Sequence, residues 1–169
     1  MLVIPIIYVK EKQAFRKEGG ILRFLGKPID VARKLKDEGY RLIHIVDLDA
    51  LALLSTNLDI YDALTYFVNV QVECAPDDTL VKKLLSLKCR VVLAPSELDL
   101  SQLKERKLLV AKIPKDFKGS VNDYHDIILE DADNEIVKRF LSLKKRIIIF
   151  DKDKDKVKEE VWGIITSAF

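Results

Sequence analysis

The stretch Arg41-Leu-Ile-His-Ile-Val-Asp-Leu-Asp-Ala50 decides the fold of this chain. Its first half is apolar at almost every position from Leu42 to Val46, without the polar alternation of a strand that faces water on one side. Such a run is typical of a parallel strand that is covered on both faces. The stretch therefore predicts an α/β protein with a parallel sheet.

Two carboxylates, Asp47 and Asp49, follow at the end of this strand. Side chains two residues apart in a strand point to the same face, and α/β proteins place their chemistry at the carboxyl ends of parallel strands. This spacing makes Asp47 and Asp49 the candidate catalytic residues. The alternative is that one carboxylate caps the next helix and the other is solvated.

The rest of the chain alternates between short apolar runs and amphipathic segments. Alternation of this kind predicts a parallel (β/α) barrel-like fold, derived from the TIM barrel. No eighth strand is identified, so the last unit is expected to be degenerate or missing. The sheet would then have two open edges that need cover, for which a homodimer is one expectation. The seven predicted strands span residues 2–9, 41–49, 68–74, 90–94, 108–111, 126–129 and 146–150, and the helices 28–39, 57–67, 79–88, 97–106, 134–143 and 157–169.

The bulk composition fits one domain over residues 1–169 with a real core. The chain has 49% hydrophobic and 33% charged residues and a formal net charge of +2. The two signs are interspersed, which argues against nucleic-acid binding because that function needs a clustered basic face. Many Lys and Glu residues and few Asn, Gln and Met residues suggest a thermophilic source.

Cysteines and the first residues predict a cytoplasmic protein without a membrane span. Cys74 and Cys89 have no CxxC spacing, so buried thiols in a reducing compartment are expected rather than a metal or redox site. The apolar run from Met1 to Val9 is too short for a membrane helix and is assigned to the first strand.

Several segments of the first half match the pattern of a known family. The matching segments are Leu2-Val-Ile-Pro5-Ile-Ile7, Arg16 and Gly20, Pro28-Ile-Asp-Val-Ala32, Glu38-Gly39, His44-Ile-Val-Asp47-Leu-Asp49, Asn57-Leu-Asp59 and Val70-Gln71-Val72. On these residues the chain resembles ProFAR isomerase, a (β/α) barrel enzyme of histidine biosynthesis that opens the ribose of an aminoimidazole carboxamide ribotide. The resemblance covers residues 1–95 and fades beyond them.

Where the family carries its functional motifs, this chain departs from it. The resemblance implies a catalytic Asp where this chain has Tyr8, and a second near Lys112. Glu73-Cys74-Ala75 replaces three glycines that approach a substrate phosphate, and Asp151-Lys-Asp-Lys-Asp155 replaces a glycine-rich phosphate turn. A phenol with a pKa near 10 replaces a carboxylate poorly in acid and base catalysis.

Two functions follow from this pattern. The first is a divergent relative that lacks the isomerase sites and serves as a binding or interaction protein, or as an enzyme of unknown reaction. The alternative is a sugar-phosphate isomerase that performs the Amadori rearrangement with rearranged roles for its residues. In either case Arg16, Tyr8 and Lys112 are the candidate ligand-binding residues, a small phosphorylated compound is the expected ligand, and no metal or cofactor is expected.

Overall fold

The computed structural model describes all residues from 1 to 169. None of its helices has both the length and the apolar character needed to cross a bilayer. The strands are β1 (Leu2–Lys10), β2 (Gln13–Glu18), β3 (Ile21–Gly26), β4 (Leu42–Asp47), β5 (Asn69–Glu73), β6 (Arg90–Leu93), β7 (Leu109–Ile113), β8 (Asp126–Leu129), β9 (Arg146–Phe150) and β10 (Gly163–Thr166). The α-helices are α1 (Pro28–Asp37), α2 (Leu48–Leu51), α3 (Leu58–Leu64), α4 (Asp78–Ser86) and α5 (Asn134–Ser142).

Eight parallel strands form a closed barrel in the order β1, β4, β5, β6, β7, β8, β9 and β10. The last strand pairs with the first, from Leu2 opposite Gly163 to Pro5 opposite Thr166. The predicted barrel-like α/β fold is confirmed, whereas the expected gap after seven strands is not present. Closure leaves no barrel edge for a second subunit to cover. The homodimer therefore remains a prediction, but the open sheet edges no longer support it.

Alternation along the strands creates two apolar regions. The larger one lies between the outer face of the barrel and the helices, where α4 contributes Leu80 and Leu84 and α5 contributes Phe140. Because strands alternate their side chains, the other face of each strand fills the barrel interior. The buried apolar residues of the interior are Ile4, Leu42, Val92, Val110, Ile128, Ile148 and Ile165.

The closing strand lies where the sequence predicted a terminal helix over 157–169, and that helix prediction is wrong. A short apolar run fits a strand and a buried helix equally well by periodicity alone, and length and β-branched content separate them. The run from Gly163 to Thr166 has only four residues, three of them β-branched. Gly163 also suits a close approach, because a Cβ there would lie 2.7 Å from Cδ1 of Ile4.

Two other segments differ from their predictions. The polar connection predicted over 10–27 is a β-ribbon: β2 pairs antiparallel with β1, and β3 pairs with β2. A tight turn joins β2 and β3 at Gly19 and Gly20, whose φ angles are 55° and 80°. The helix predicted over 97–106 is instead a set of turns, where Asp99 accepts a hydrogen bond from the amide of Ser101. Local bonds of this kind compete with helix formation.

Truncation of the closing strand tests this account of the barrel. Ile165→Ala should lower the free energy of unfolding by about 2–5 kcal/mol, because Ile165 is 1% exposed inside the barrel and the truncation leaves a cavity. Leu143→Ala is the control, since Leu143 is 52% exposed and should cost less than about 0.5 kcal/mol. Urea denaturation measures both variants, and equal costs would contradict the packing of β10 against the interior.

Candidate functional site

A cavity of about 260 Å³ opens at the carboxyl end of the barrel, and we call it the mouth cavity. Barrel enzymes place their active sites at this end, because the loops that follow each strand converge there. The cavity is therefore the candidate functional site. Its lining residues are Ile6, Tyr8, Lys17, Phe150, Asp151, Lys152, Ile165 and Ser167.

Tyr8 and Lys17 reach the cavity from neighbouring strands. The sheet register puts Tyr8 of β1 opposite Phe15 of β2, and the ammonium group of Lys17 lies 5.6 Å from the centre of the Tyr8 ring. Burial raises the pKa of the Tyr8 phenol, and the positive charge of Lys112 partly opposes this effect. At neutral pH Tyr8 is therefore a hydroxyl that can donate a hydrogen bond into the cavity.

The other charges at the rim are balanced within the protein. The Lys152 ammonium lies 2.6 Å from a carboxylate oxygen of Asp131, and Lys154 lies 3.3 Å from Asp151. Lys17 makes no salt bridge in the structure. Of the cations that line the cavity, Lys17 alone has no carboxylate partner, so it gives the mouth its excess positive charge.

Below the mouth, a partly buried ion pair joins the ends of two strands. The Lys112 ammonium on β7 donates to Oε1 of Glu73 on β5 at 2.9 Å. Oε2 of Glu73 lies 3.4 Å from Nε2 of His44, and neither of these two buried atoms has a hydrogen-bond partner. Burial alone would raise the pKa of Glu73, but the polar contacts with His44 and Lys112 outweigh it and hold the pKa at about 2.

The polar contacts continue down the barrel from His44. Burial lowers the pKa of His44, so its ring is neutral at pH 7. Gln71 Nε2 lies 2.9 Å from Nδ1 of His44, and Arg90 Nε donates to Oε1 of Gln71 at 3.3 Å. An amide NH₂ can only donate, so Nδ1 accepts and the proton of His44 is assigned to Nε2, which faces Glu73.

Asp126 ends this row of contacts near the amino-terminal end of the barrel. Its carboxylate accepts from Arg90, and Nε of Arg146 donates to its Oδ1 at 2.6 Å. The two guanidinium groups lie 5.0 and 3.8 Å from the centre of the Trp162 ring. We call the whole row the polar column: Lys112, Glu73, His44, Gln71, Arg90, Asp126 and Arg146. Because these side chains and the apolar residues fill the interior, a compound bound in the mouth cavity cannot extend down into the barrel.

Asp47 and Asp49 are buried between the barrel and the helices, away from the mouth cavity. Asp47 accepts hydrogen bonds from the amide of Ala50 at 2.9 Å, from Asn57 at 3.0 Å and from the Tyr61 hydroxyl at 2.7 Å. Burial raises the pKa of Asp47 despite these bonds. Asp47 thus caps α2 and ties it to α3, as the capping part of the alternative expected, whereas Asp49 is buried and not solvated.

Asp49 fixes the start of the ribbon. Its Oδ2 accepts from the amide of Glu11 at 2.7 Å and from Asn57 at 2.9 Å, while the amide of Lys12 donates to Asn57 Oδ1 at 2.9 Å. Glu11 and Lys12 have positive φ angles of 47° and 65°, so the turn between β1 and β2 is held in a strained conformation. The catalytic role of both carboxylates stays a prediction. Their contacts show that both carboxylates have a structural role.

The three candidate ligand-binding residues do not lie together. Tyr8 lines the mouth cavity and Lys112 lies near it, 24% exposed and with its ammonium 6.0 Å from the centre of the Phe150 ring. Arg16 lies outside the cavity, where its guanidinium donates to the carbonyl oxygen of Phe169 at 2.6 Å and stacks 4.5 Å from that ring. Arg16 therefore anchors the ribbon to the end of the chain.

Several residues of the site were missed by sequence reasoning. Lys17 and Ser167 lie in segments predicted as a loop and a helix, so their directions could not be inferred. Glu73 could have been placed, because it shares strand parity with Gln71 and both face the interior. No group of three or more His, Cys, Asp or Glu side chains is arranged to hold a metal ion.

Comparison with known proteins gives partial similarities. No family model matches the chain. An uncharacterised protein of Methanocaldococcus jannaschii is 30% identical over 139 residues, which are 73% of this chain and 60% of that protein.

The isomerase resemblance also appears in the comparisons. The 1-(5-phosphoribosyl)-5-((5-phosphoribosylamino)methylideneamino)imidazole-4-carboxamide isomerase of the same organism, a ProFAR isomerase, is 35% identical over 77 residues, or 43% of this chain and 32% of the enzyme. The corresponding enzyme of Nitrosopumilus maritimus is 29% identical over 100 residues, or 55% of this chain and 42% of the enzyme. The chain thus spans less than two thirds of each relative, and it is similar to ProFAR isomerases over part of its length.

The structural role of Asp47 can be tested by truncation. Asp47→Ala should lower the free energy of unfolding by about 3 kcal/mol, because it leaves buried donors on Asn57 and Tyr61 without an acceptor. Asp59→Ala is the matched control: Asp59 is 66% exposed in its ion pair with Lys12, so its loss should cost less than about 1 kcal/mol. Chemical denaturation that gave equal losses would contradict the structural assignment.

The low pKa of Glu73 predicts a specific acid sensitivity. Between about pH 5 and pH 2 the unfolded chain takes up a proton at Glu73 that the folded protein does not, so the stability that Glu73 contributes is lost as the pH falls. The difference in unfolding free energy between the wild type and Glu73→Gln should shrink by roughly 2–3 kcal/mol across this range. Denaturation at a series of pH values measures it, with Glu160→Gln as an exposed control. A pH-independent difference would refute the assignment.

Proposed function

We propose that this protein is a divergent relative of ProFAR isomerase that does not catalyse the isomerisation, and that its mouth cavity binds a small ligand carrying one anionic group. The observation that carries the proposal is the combination of a small cavity with the unpaired Lys17 ammonium at its rim.

The side chains at two strand ends support the loss of the isomerase reaction. The resemblance implies carboxylates at the ends of the first and fifth barrel strands, for acid and base catalysis. Tyr8 stands near the end of β1, and Lys112 stands in the corresponding part of β7, the fifth barrel strand. The phenol has a raised pKa, and the ammonium is occupied by Glu73, so neither replaces a carboxylate in the proton transfers.

The size of the cavity supports a ligand smaller than the isomerase substrate. The name of the related isomerases contains two phosphoribosyl groups. The mouth cavity measures about 260 Å³, below the roughly 300–1,000 Å³ of sites for drug-sized ligands. The polar column closes the cavity from below, so the ligand cannot extend into the barrel. A compound with a single anionic group fits these limits.

The polar groups around the cavity support an anionic ligand. Lys17 offers an ammonium without a carboxylate partner, and the hydroxyl groups of Tyr8 and Ser167 are further donors on the lining. Hydrogen bonds from a charged donor to an anion are stronger than neutral ones. Lys17 is therefore the expected anchor of the anionic group, which can be a phosphate or a carboxylate.

A thermal-shift titration with inorganic phosphate, ribose 5-phosphate and the aminoimidazole carboxamide ribotide tests the binding. At about 100 times its dissociation constant a ligand stabilises the fold by about 2.7 kcal/mol, which is a rise of roughly 5–10 °C in Tm. Ribose 5-phosphate should give such a rise, and Lys17→Gln should abolish it. Lys82→Gln is the control, because Lys82 lies on α4 and pairs with Asp78 at 3.0 Å.

The same preparation tests the loss of the reaction. Incubation with the isomerase substrate should give no rearranged product by chromatography, even at high protein concentration. Turnover would overturn the first half of the proposal. Absence of any thermal shift with the anionic ligands, or equal shifts in the wild type and Lys17→Gln, would overturn the second half.

A further inference from the structure

Lys112 differs from the other ion-paired lysines of this protein in its surroundings. Its side chain is 24% exposed, whereas those of the other ion-paired lysines are 54–66% exposed. Its ammonium has three donors and makes one hydrogen bond, to Glu73. The remaining donors lie close to Tyr8 and Phe150, two residues that line the mouth cavity.

Lysine amines that react with carbonyl compounds are partly desolvated, and Lys112 is the least exposed of the ion-paired lysines. The neighbours of Lys112 provide what this chemistry requires. Glu73 fixes the position of the amine from one side, the centre of the Phe150 ring lies 6.0 Å from it, and Tyr8 lines the cavity with a hydroxyl that can donate a hydrogen bond. No other lysine in an ion pair combines such burial with a neighbouring cavity.

We propose that Lys112 is a nucleophilic amine that forms an imine with a small carbonyl compound bound in the mouth cavity. The proposal rests on the proposed function, since Lys17 would hold the anionic group of the same ligand. A carboxylate or a phosphate at one end and a carbonyl carbon at the other define the substrate class: short oxo acids and the open-chain forms of small sugar phosphates.

The step balances without a cofactor. The Lys112 ammonium first releases a proton to water at the mouth, and the resulting amine attacks the carbonyl carbon. A C–N bond forms, the nitrogen releases a second proton to water, and the carbonyl oxygen takes a proton from water to give a carbinolamine. Solvent then protonates the departing hydroxyl group, the C–O bond breaks, and water leaves as the C=N bond forms, while the Tyr8 hydroxyl donates a hydrogen bond to the departing oxygen. Hydrolysis reverses the sequence.

Reductive trapping tests the proposal on the intact chain. The protein is incubated with pyruvate and sodium cyanoborohydride, which reduces an imine to a stable secondary amine, and the modified lysines are located by peptide mass spectrometry. Adduct at Lys112 should exceed that at Lys82 by at least about tenfold, because a bound carbonyl is held at high effective concentration. Exposure alone predicts the opposite order, since the Lys82 side chain is 60% exposed.

Variants separate this proposal from the one on which it rests. Lys112→Gln should lose the selective adduct, while Lys82→Gln should keep it. Lys17→Gln should reduce trapping of pyruvate but not of acetaldehyde, which has no anionic group. Adducts spread over exposed lysines with none at Lys112 overturn the imine even where the thermal shift with anions remains. Selective trapping at Lys112 without any rise in Tm on addition of anions would instead contradict the role of Lys17 as the anchor of the anionic group. The wild-type peptide map decides the question if Lys112→Gln fails to fold.

Discussion

Asp126, buried between two arginines inside a closed barrel, is the interaction on which the rest of the structure depends. A barrel of eight strands must fill its interior with side chains, and a charge placed there needs partners of opposite sign. The carboxylate is fully buried and is paired with Arg90 and Arg146. The guanidinium groups of both arginines stack on the Trp162 ring. Since removing one partner of a buried pair costs about 3–5 kcal/mol, each member constrains the others.

This constraint passes from the base of the barrel to its mouth. Arg90 pairs with Asp126 while its Nε donates to Gln71, and Gln71 in turn fixes the tautomer of His44. With Nε2 of His44 directed at Glu73, the carboxylate keeps its other oxygen for Lys112. The side chains that border the mouth cavity are thus positioned by residues deep in the barrel, and the interior holds no open space below the cavity.

Most strands of the barrel could be predicted from the sequence, but fewer residues of the candidate site could. Parallel strands buried on both faces are continuous apolar runs, so the strand from Leu42 to Asp47 and its neighbours could be located. The closing strand and the ribbon could not, because four residues such as Gly163–Thr166 are too few to fix a period, and the ribbon pairs only through tertiary contacts. Asp47 and Asp49 were expected to share one face of a strand, but the chain turns into α2 directly after Asp47, and the carboxylate of Asp47 caps that helix.

The ribbon, and not the barrel, sets the charge that a ligand meets. At the upper end of the polar column Glu73 neutralises Lys112, and at the rim the Lys152 and Asp151 charges are balanced by their own partners. Lys17 has no carboxylate partner. Its position is set by the pairing of β2 with β1, by the turn that Asp49 fixes and by the contact of Arg16 with Phe169. Because the barrel interior is closed by its own ion pairs, a ribbon with a different residue in place of Lys17 would change the charge of the mouth cavity on an unchanged scaffold. The ligand preference that we propose for this cavity can therefore change without any change in the core.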